Sequence, residues 1–425
     1  MGNLTPEKLS LCIAFPGNNC RRNTTFAVHV YNLVRHLQDD FRLTLAFRTI
    51  HEPLDINCDQ IAILEPSEVE EQGAFFTPND FRAVKRYLRS LERFADNWSD
   101  AFDYVIEKTW RLDGALTFFF ANRGVPGAPV LEAEFHLSAT NTKHFPRSFF
   151  QAALWPLFRR YLVASKKTWL KSADTIVTET RQMHSWLIEH DYIDRDSHTV
   201  LLPAAYDREV FYPRDRAQCR RELRLEHEAI IATYVGSLNC LIHDPLPLLE
   251  ALADLSDPNL ILCMIGDGRK RMELEEFSTR HGIQAVFTGR IGQQEACRYI
   301  GASNVCLAPY NIDFYPERKF TSGSLKTVEY LASARPVVSI PCGRMKDLLK
   351  DGRYGFLVDN NVQAYREFFH GLTRQSLLAK EKVLLQDVRE GKLSDTGYAL
   401  DFEAVSRRLV DMVRGSGRVR ARKPQ

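Results

Sequence analysis

The sequence predicts an α/β protein made of two doubly wound parallel-sheet domains in one chain. Three observations predict it. Short apolar runs rich in β-branched residues alternate with helical stretches through the second half. The first half repeats that alternation in a less regular form. The 425 residues are enough for two or three domains at about 100–200 residues each.

The second half carries the clearest strands: AIIATYVG (229–236), LILCMIG (260–266), AVFTG (285–289), VCLAPY (305–310), RPVVSI (335–340) and GFLV (355–358). Between them lie helix-period stretches such as DPLPLLEALADL and RKRMELEEFSTRHG. In the first half, LSLCIAF (9–15) reads as a strand, TFAVHVYNLVRHL (25–37) as a helix and FRLTLAF (41–47) as the next strand. Further strands are expected in DYVIEK (103–108), APVLEAEF (128–135), ADTIVTET (173–180) and HTVLLP (198–203), with a helix starting near Phe81. FYPRDR suggests a linker around Tyr212–Asp215. The expected organisation is therefore a first domain over 1–212, a second over 213–400, a C-terminal amphipathic helix over 401–413 and a basic, disordered tail over 414–425. Sheets of this type bind ligands beyond the carboxyl ends of their strands, so a ligand cleft is expected between the two domains.

Composition narrows the function classes. A net charge of +2 gives no global reason to expect a nucleic-acid partner. The nine cysteines form no CxxC pair, so a zinc ribbon is not expected, and Cys263 and Cys306 sit in apolar runs as small core residues. With no disulfide framework and no signal-peptide pattern at the start, the expected location is the cytoplasm. No run of about 18 apolar residues is present, so no membrane span is expected.

The stretch TSGSLKTVEYLASARPVVSI (321–340) carries the most chemistry. Ser322, Gly323 and Ser324 form a small-residue loop, and a helix starts near Leu325 and ends before Pro336. Free backbone N–H groups and the helix dipole attract phosphate at such a start. Lys326 adds a full positive charge in the first turn, and Glu329 shares its face. A cation for a diphosphate and a carboxylate for ribose hydroxyls, one turn apart, suit a nucleoside diphosphate. The alternative is a capped surface helix with a local Lys–Glu pair, and the spacing alone does not separate the two.

This segment resembles the donor-binding half of retaining glycosyltransferases of the GT-B fold, especially family 4. The resemblance rests on Gly323-Ser324-Leu325-Lys326, then Glu329, then Arg335-Pro336-Val337-Val338. YVGSLN, MIGDGRKR and VFTGRIGQQEACRYIGASNVCLAPY stand upstream in family order, and KDGRYGFLVDNN downstream. It implies that Lys326 holds the diphosphate and Glu329 the ribose. It further implies that Gly236 and Ser237 lie against the phosphates, that Gly289 and Arg290 contact the base, and that Ser324 and Leu325 complete the donor site. His136, in VLEAEFH beside Glu132 and Glu134, falls where the family places a histidine near the transferred sugar. Gly17, Arg21 and Arg22 fall in the loop after the first strand and could supply anion contacts. Two departures stand out: the family's phosphate cations are replaced by Ser237 and Ile242. His243 is a partial substitute for them. Thr321 stands where the family has an acidic residue.

The function implied is transfer of a sugar from a UDP- or GDP-sugar to an acceptor hydroxyl, with retention and without a metal. No cofactor is implied because the nucleotide-sugar is a substrate. Two alternatives are a nucleotide-sugar 2-epimerase of the same fold and a non-catalytic binding subunit. The stretch 143–171 interleaves aromatic residues with Lys143, Arg147, Arg159, Arg160, Lys166, Lys167 and Lys171. It fits either a peripheral contact with the inner face of a membrane or a helix packed on the first sheet with a solvated basic edge.

Overall fold

A computed structural model of the chain describes residues 8–20, 25–52, 54–64, 81–108, 112–131, 149–225, 228–239, 242–255, 257, 259–321, 323–395 and 400–416. They form two compact units. One comprises 1–202 together with 402–425, and the other comprises 203–401.

The first unit contains strands β1 (Leu9–Cys20), β2 (Phe41–Ile50), β3 (Gln60–Ile63), β4 (Tyr104–Lys108), β5 (Gly127–Leu131), β6 (Ile176–Thr178) and β7 (Thr199–Leu201). They make one sheet in the order β3-β2-β1-β4-β5-β6-β7. Its helices are α1 (Thr25–Leu37), α2 (Phe81–Trp98), α3 (Ala115–Ala121), α4 (Phe149–Lys171) and α5 (Arg181–Glu189). The second unit contains β8 (Ala205–Tyr206), β9 (Ile230–Val235), β10 (Leu260–Ile265), β11 (Ala285–Gly289), β12 (Val305–Ala308), β13 (Val337–Ser339), β14 (Gly355–Leu357) and β15 (Leu400–Asp401). Six of these form a sheet in the order β11-β10-β9-β12-β13-β14, and β8 pairs with β15. Its helices are α6 (Arg216–Leu223), α7 (Leu246–Leu255), α8 (Arg271–Arg280), α9 (Gln293–Ala302), α10 (Leu325–Ala332), α11 (Arg344–Leu348), α12 (Val362–Gly371), α13 (Arg374–Arg389) and α14 (Lys392–Asp395). The last helix, α15 (Phe402–Gly415), belongs to the first unit.

Every ladder among the described strands is parallel. Strands buried on both faces read as continuous apolar runs, and so they do here: β12 is buried at all four positions and β10 at five of six. Cys263 and Cys306 are fully buried core residues.

The units divide at 202/203, ahead of the linker expected at Tyr212–Asp215. The FYPRDR segment is not a free tether. Val210 and Phe211 are buried, and the Arg214 carbonyl accepts from Arg335 Nη2 at 2.9 Å. Arg335 is itself buried and also donates to the Gly301 carbonyl and to Glu381 at 2.8 Å. That arginine, from the R-P-V-V stretch, ties the start of the unit to its sheet. The C-terminal helix is anchored in the first unit by Arg408 Nη1 donating to the Leu201 carbonyl at 3.2 Å and by Arg414 pairing with Asp40 at 2.7 Å.

The basic stretch in α4 is largely neutralised. Lys166 is buried and paired with Asp113 at 3.3 Å, while Lys167 and Lys171 pair with Asp191 and Asp194. Phe158 and Trp169 from the same helix lie in the core. Arg159, Arg160, Leu157 and Tyr161 are exposed. Lys143 and Arg147 lie outside the described residues. Among the described residues, no helix is long and apolar enough to cross a membrane.

One buried carboxylate organises the middle of the first sheet. Glu107, near the end of β4, is fully buried and accepts from the Gly114 N–H at 3.1 Å, the Thr117 N–H at 2.8 Å and the Thr117 hydroxyl at 2.9 Å. It thereby caps α3, and a carboxylate at a helix start also meets the positive end of the dipole. Burial outweighs these donors and lifts the carboxyl to about 7, against 4.5 for the free side chain. A raised acid pKa means that the folded protein holds a proton the unfolded chain has lost. Stability must therefore fall as pH rises from about 4.5 to about 7. Glu107→Gln is expected to remove this component, which amounts to at most about 1.4 kcal/mol per pH unit. Urea unfolding of wild type and variant across the window measures it, and parallel pH profiles would contradict it.

Candidate functional site

In the second sheet the strand order reverses between β9 and β12. The crevice beyond the carboxyl ends of these two strands is where open α/β sheets take ligands. The β9 strand runs into Gly236, and β12 runs into Pro309 and Tyr310. The chain after Gly236 returns to this point. Asn311 N–H donates to the Ile242 carbonyl at 2.9 Å and Asp244 N–H to the Pro309 carbonyl at 2.9 Å, which makes a short antiparallel bridge between His243 and Tyr310.

Two glycines let the backbones close in. Gly236 has φ +153 and Gly266 has φ +137, conformations that L side chains rarely adopt. A Cβ on Gly236 would lie 2.6 Å from Lys326 Nζ, and one on Gly266 would lie 1.9 Å from the Gly236 carbonyl oxygen. Any side chain at either position would push into the crevice or part the loops after β9 and β10.

Helix α10 starts at this crevice. Its N-cap residue, Ser324, is left-handed at φ 50, and its own side chain does not cap the first turn. The Ser324 hydroxyl turns inward: it accepts from the Tyr310 hydroxyl and donates to Thr327 Oγ1 at 2.6 Å. The Ser324 hydroxyl is thus not committed to the first-turn N–H groups, the end of a helix that attracts anions. Tyr330, fully buried on the same helix, accepts from the Val235 N–H at 2.8 Å, which fastens α10 to the end of β9.

Lys326 and Glu329 project from this helix. The Lys326 ammonium sits 4.4 Å from the centroid of the Tyr234 ring and 6.0 Å from that of Tyr310, and it donates to the Tyr234 hydroxyl at 3.4 Å. Such cation–π contacts hold a charge without neutralising it. Tyr234 is itself fixed by donating to the Ser237 carbonyl at 2.7 Å. Glu329 is buried, and its carboxylate makes no hydrogen bond or ion pair with the described residues. Burial drives the Lys326 ammonium well down and the Glu329 carboxyl well up from their ordinary values, and the attraction between the two charges only partly offsets it. The capped surface helix with a local Lys–Glu pair is therefore excluded. The helix is buried from Thr327 to Ala332, the Ser324 side chain does not cap its start, and no salt bridge joins the two residues. Unpaired ionisable groups in a crevice are a mark of functional sites.

The other expected donor residues divide. Gly236, Ser237, Ser324, Leu325, Lys326 and Glu329 gather at this crevice. Gly289 ends β11, and its carbonyl accepts from Gly266 N–H at 3.0 Å, which brings the end of β11 to the loop after β10. Arg290 is exposed. His243 does not act as a spare cation, because burial and the neighbouring Lys326 charge hold its imidazole well below its ordinary value and so neutral. Gly17 is a buried position in β1 of the first unit. Arg21, Arg22, Glu132, Glu134 and His136 lie outside the described residues. Tyr234 and Tyr310 were not singled out from the sequence. Their only signal was an aromatic residue next to each strand end, in TYVG and LAPY.

Comparison with known proteins agrees with this geometry. Residues 229–374 match the family described as Glycosyl transferases group 1. Among curated relatives, D-inositol 3-phosphate glycosyltransferase of Streptomyces avermitilis is 29% identical over 208 residues, covering 45% of this chain and 42% of the relative. The Corynebacterium kroppenstedtii protein of the same name is 31% identical, covering 45% and 44%. The chain thus spans less than half the length of these relatives. Similar solved structures cover nearly the whole chain. Sucrose-phosphate synthase from Thermosynechococcus elongatus has a TM-score of 0.68 at 16% identity, covering 96% of this chain and 98% of that one. Anabaena HepE in complex with UDP-glucose has a TM-score of 0.65 at 13% identity, covering 95% and 99%. The chain has the GT-B fold, and residues 229–374 of its second unit match the glycosyl transferases group 1 family.

Proposed function

We propose that this protein is a glycosyltransferase that moves a sugar from a UDP- or GDP-sugar to an acceptor hydroxyl, with retention at the anomeric carbon and without a metal. The observation that carries the reading is the start of α10 at the reversal point of the second sheet, not capped by its own Ser324 side chain, with Lys326 and Glu329 buried on one face and joined by no salt bridge. HepE has been described with UDP and with UDP-glucose, which supports a uridine nucleotide as the first donor to try.

In this reading, Lys326 Nζ and the first-turn N–H groups of α10 hold the diphosphate, and Glu329 accepts hydrogen bonds from the ribose hydroxyls. The bond between the anomeric carbon and the phosphate oxygen breaks, and its electron pair leaves on the diphosphate. The acceptor oxygen bonds to that carbon on the same face and gives up its proton. The fixed charge of Lys326 and the helix start meet the negative charge that develops on the leaving oxygen, so they stabilise the transition state more than the ground state. The diphosphate's negative charge also favours the protonated form of Lys326, which burial disfavours. His136 remains the candidate contact to the transferred sugar, and Gly17, Arg21 and Arg22 remain candidates on the acceptor side.

A thermal-shift panel of UDP- and GDP-linked sugars tests the donor assignment. A nucleotide at about 100 times its dissociation constant should add about 2.7 kcal/mol of stability to the wild type. Lys326→Ala removes a charge-assisted phosphate contact of about 1.5–3 kcal/mol and Glu329→Ala the ribose acceptor, so each variant should lose most of the shift. Equal shifts in all three proteins would refute the assignment.

Gly236→Ala probes the close approach. Its Cβ would meet Lys326 Nζ at 2.6 Å and displace the ammonium. The variant should fold yet bind the nucleotide about tenfold or more weakly, as read by calorimetric titration. Unchanged affinity would show that Lys326 is not held for the phosphates.

A further inference from the structure

Helix α2 of the first unit has two sharply different sides. Val84, Tyr87, Leu91, Phe94 and Ala95 are buried in the core. Lys85, Arg86, Arg89 and Arg93 are exposed. At about 100° per residue, the four cations fall within about a third of the helix circumference, opposite the buried set. None of these four side chains makes an ion pair or a hydrogen bond with the described residues. Two carboxylates, Glu92 and Asp96, share the exposed side, and Asp96 is taken by Arg123, whose Nε donates to it at 2.8 Å. The exposed side of α2 therefore keeps a net positive charge. On α4 the lysines are spent on internal pairs, Lys166 with Asp113 and Lys167 and Lys171 with Asp191.

Helices α2, α3 and α4 share one hydrophobic cluster with Cys12, Ala14, Ala46 and Val105 of the first sheet, so they form one layer on a face of that sheet. On α4 this layer shows Leu157, 67% exposed, and Tyr161, 42% exposed, one turn apart, with Arg160 exposed between them. Unpaired cations meet headgroup phosphates, and an exposed leucine and tyrosine enter the boundary with the acyl chains. We infer that this layer docks on an anionic lipid surface. Lys85, Arg86, Arg89 and Arg93 contact the headgroups, and Leu157 and Tyr161 insert between them. The four cations run for about 12 Å along the helix axis, a row that matches several headgroups and not a pocket that encloses one small anion. The exposed apolar pair favours lipid over a nucleic-acid backbone, which offers it nothing to enter. The inference is independent of the donor reading.

The test is sedimentation of the full chain with vesicles of phosphatidylcholine alone and of equal parts phosphatidylcholine and phosphatidylglycerol. Wild type should bind the mixed vesicles and not the neutral ones, and added salt should weaken the binding. Arg89→Gln should weaken it about fivefold, and replacing Lys85, Arg86, Arg89 and Arg93 together by Gln at least about a hundredfold. The thermal midpoint should not change in either variant, because the substituted side chains are exposed and unpaired. Leu157→Ser should also weaken vesicle binding and leave any binding to duplex DNA unchanged. Equal binding to both vesicle types, or to neither, would overturn the proposal, as would undiminished binding when all four cations are replaced. Duplex DNA bound as tightly as the mixed vesicles, with Leu157→Ser without effect on either, would assign the stripe to nucleic acid instead.

Discussion

The interaction on which the rest depends is the ammonium of Lys326 lying on the face of Tyr234 with no carboxylate among the described residues in salt-bridge contact with it. Several constraints converge to keep it there. Gly236 leaves no side chain in its way, and the hydrogen bond between Val235 and Tyr330 locks α10 to the end of β9. Ser324 gives its hydroxyl to Tyr310 and Thr327 instead of capping the helix. Each arrangement forgoes a local gain, because a cap or a salt bridge would stabilise the empty protein. Together they leave positive potential concentrated at one helix start.

The polar groups elsewhere are treated differently. Glu107 accepts three hydrogen bonds, and Arg335 reaches two carbonyl oxygens and Glu381 from a buried position. Those networks bind distant parts of each unit together, and they are satisfied. Lys326, Glu329 and His243 sit within one crevice without such partners. This contrast with the Glu107 and Arg335 networks marks the crevice as a candidate binding site.

Much of the second unit was legible because a parallel sheet buries both faces of its strands, and continuous apolar runs mark them plainly. The start of α10 was legible too, since small residues, a lysine and a carboxylate at helical spacing are local features. What escaped was set by contacts distant in sequence. β3 is four residues long, and α3 is a short aromatic run whose start is fixed by Glu107 from the preceding strand. FYPRDR has the composition of a linker, yet Arg335, more than a hundred residues on, holds it in the second unit. Lys166 looked like part of a solvated basic edge, but its partner Asp113 lies 53 positions earlier. The aromatic cradle under Lys326 joins Tyr234 and Tyr310 from two different strand ends, which no local pattern announces.

The most direct measurement of the central claim is a crystal structure of the protein soaked with UDP. The account predicts the diphosphate against the first turn of α10, within hydrogen-bond reach of Lys326 Nζ, with ribose hydroxyls on Glu329. A nucleotide bound elsewhere, with Lys326 still resting on Tyr234, would contradict it.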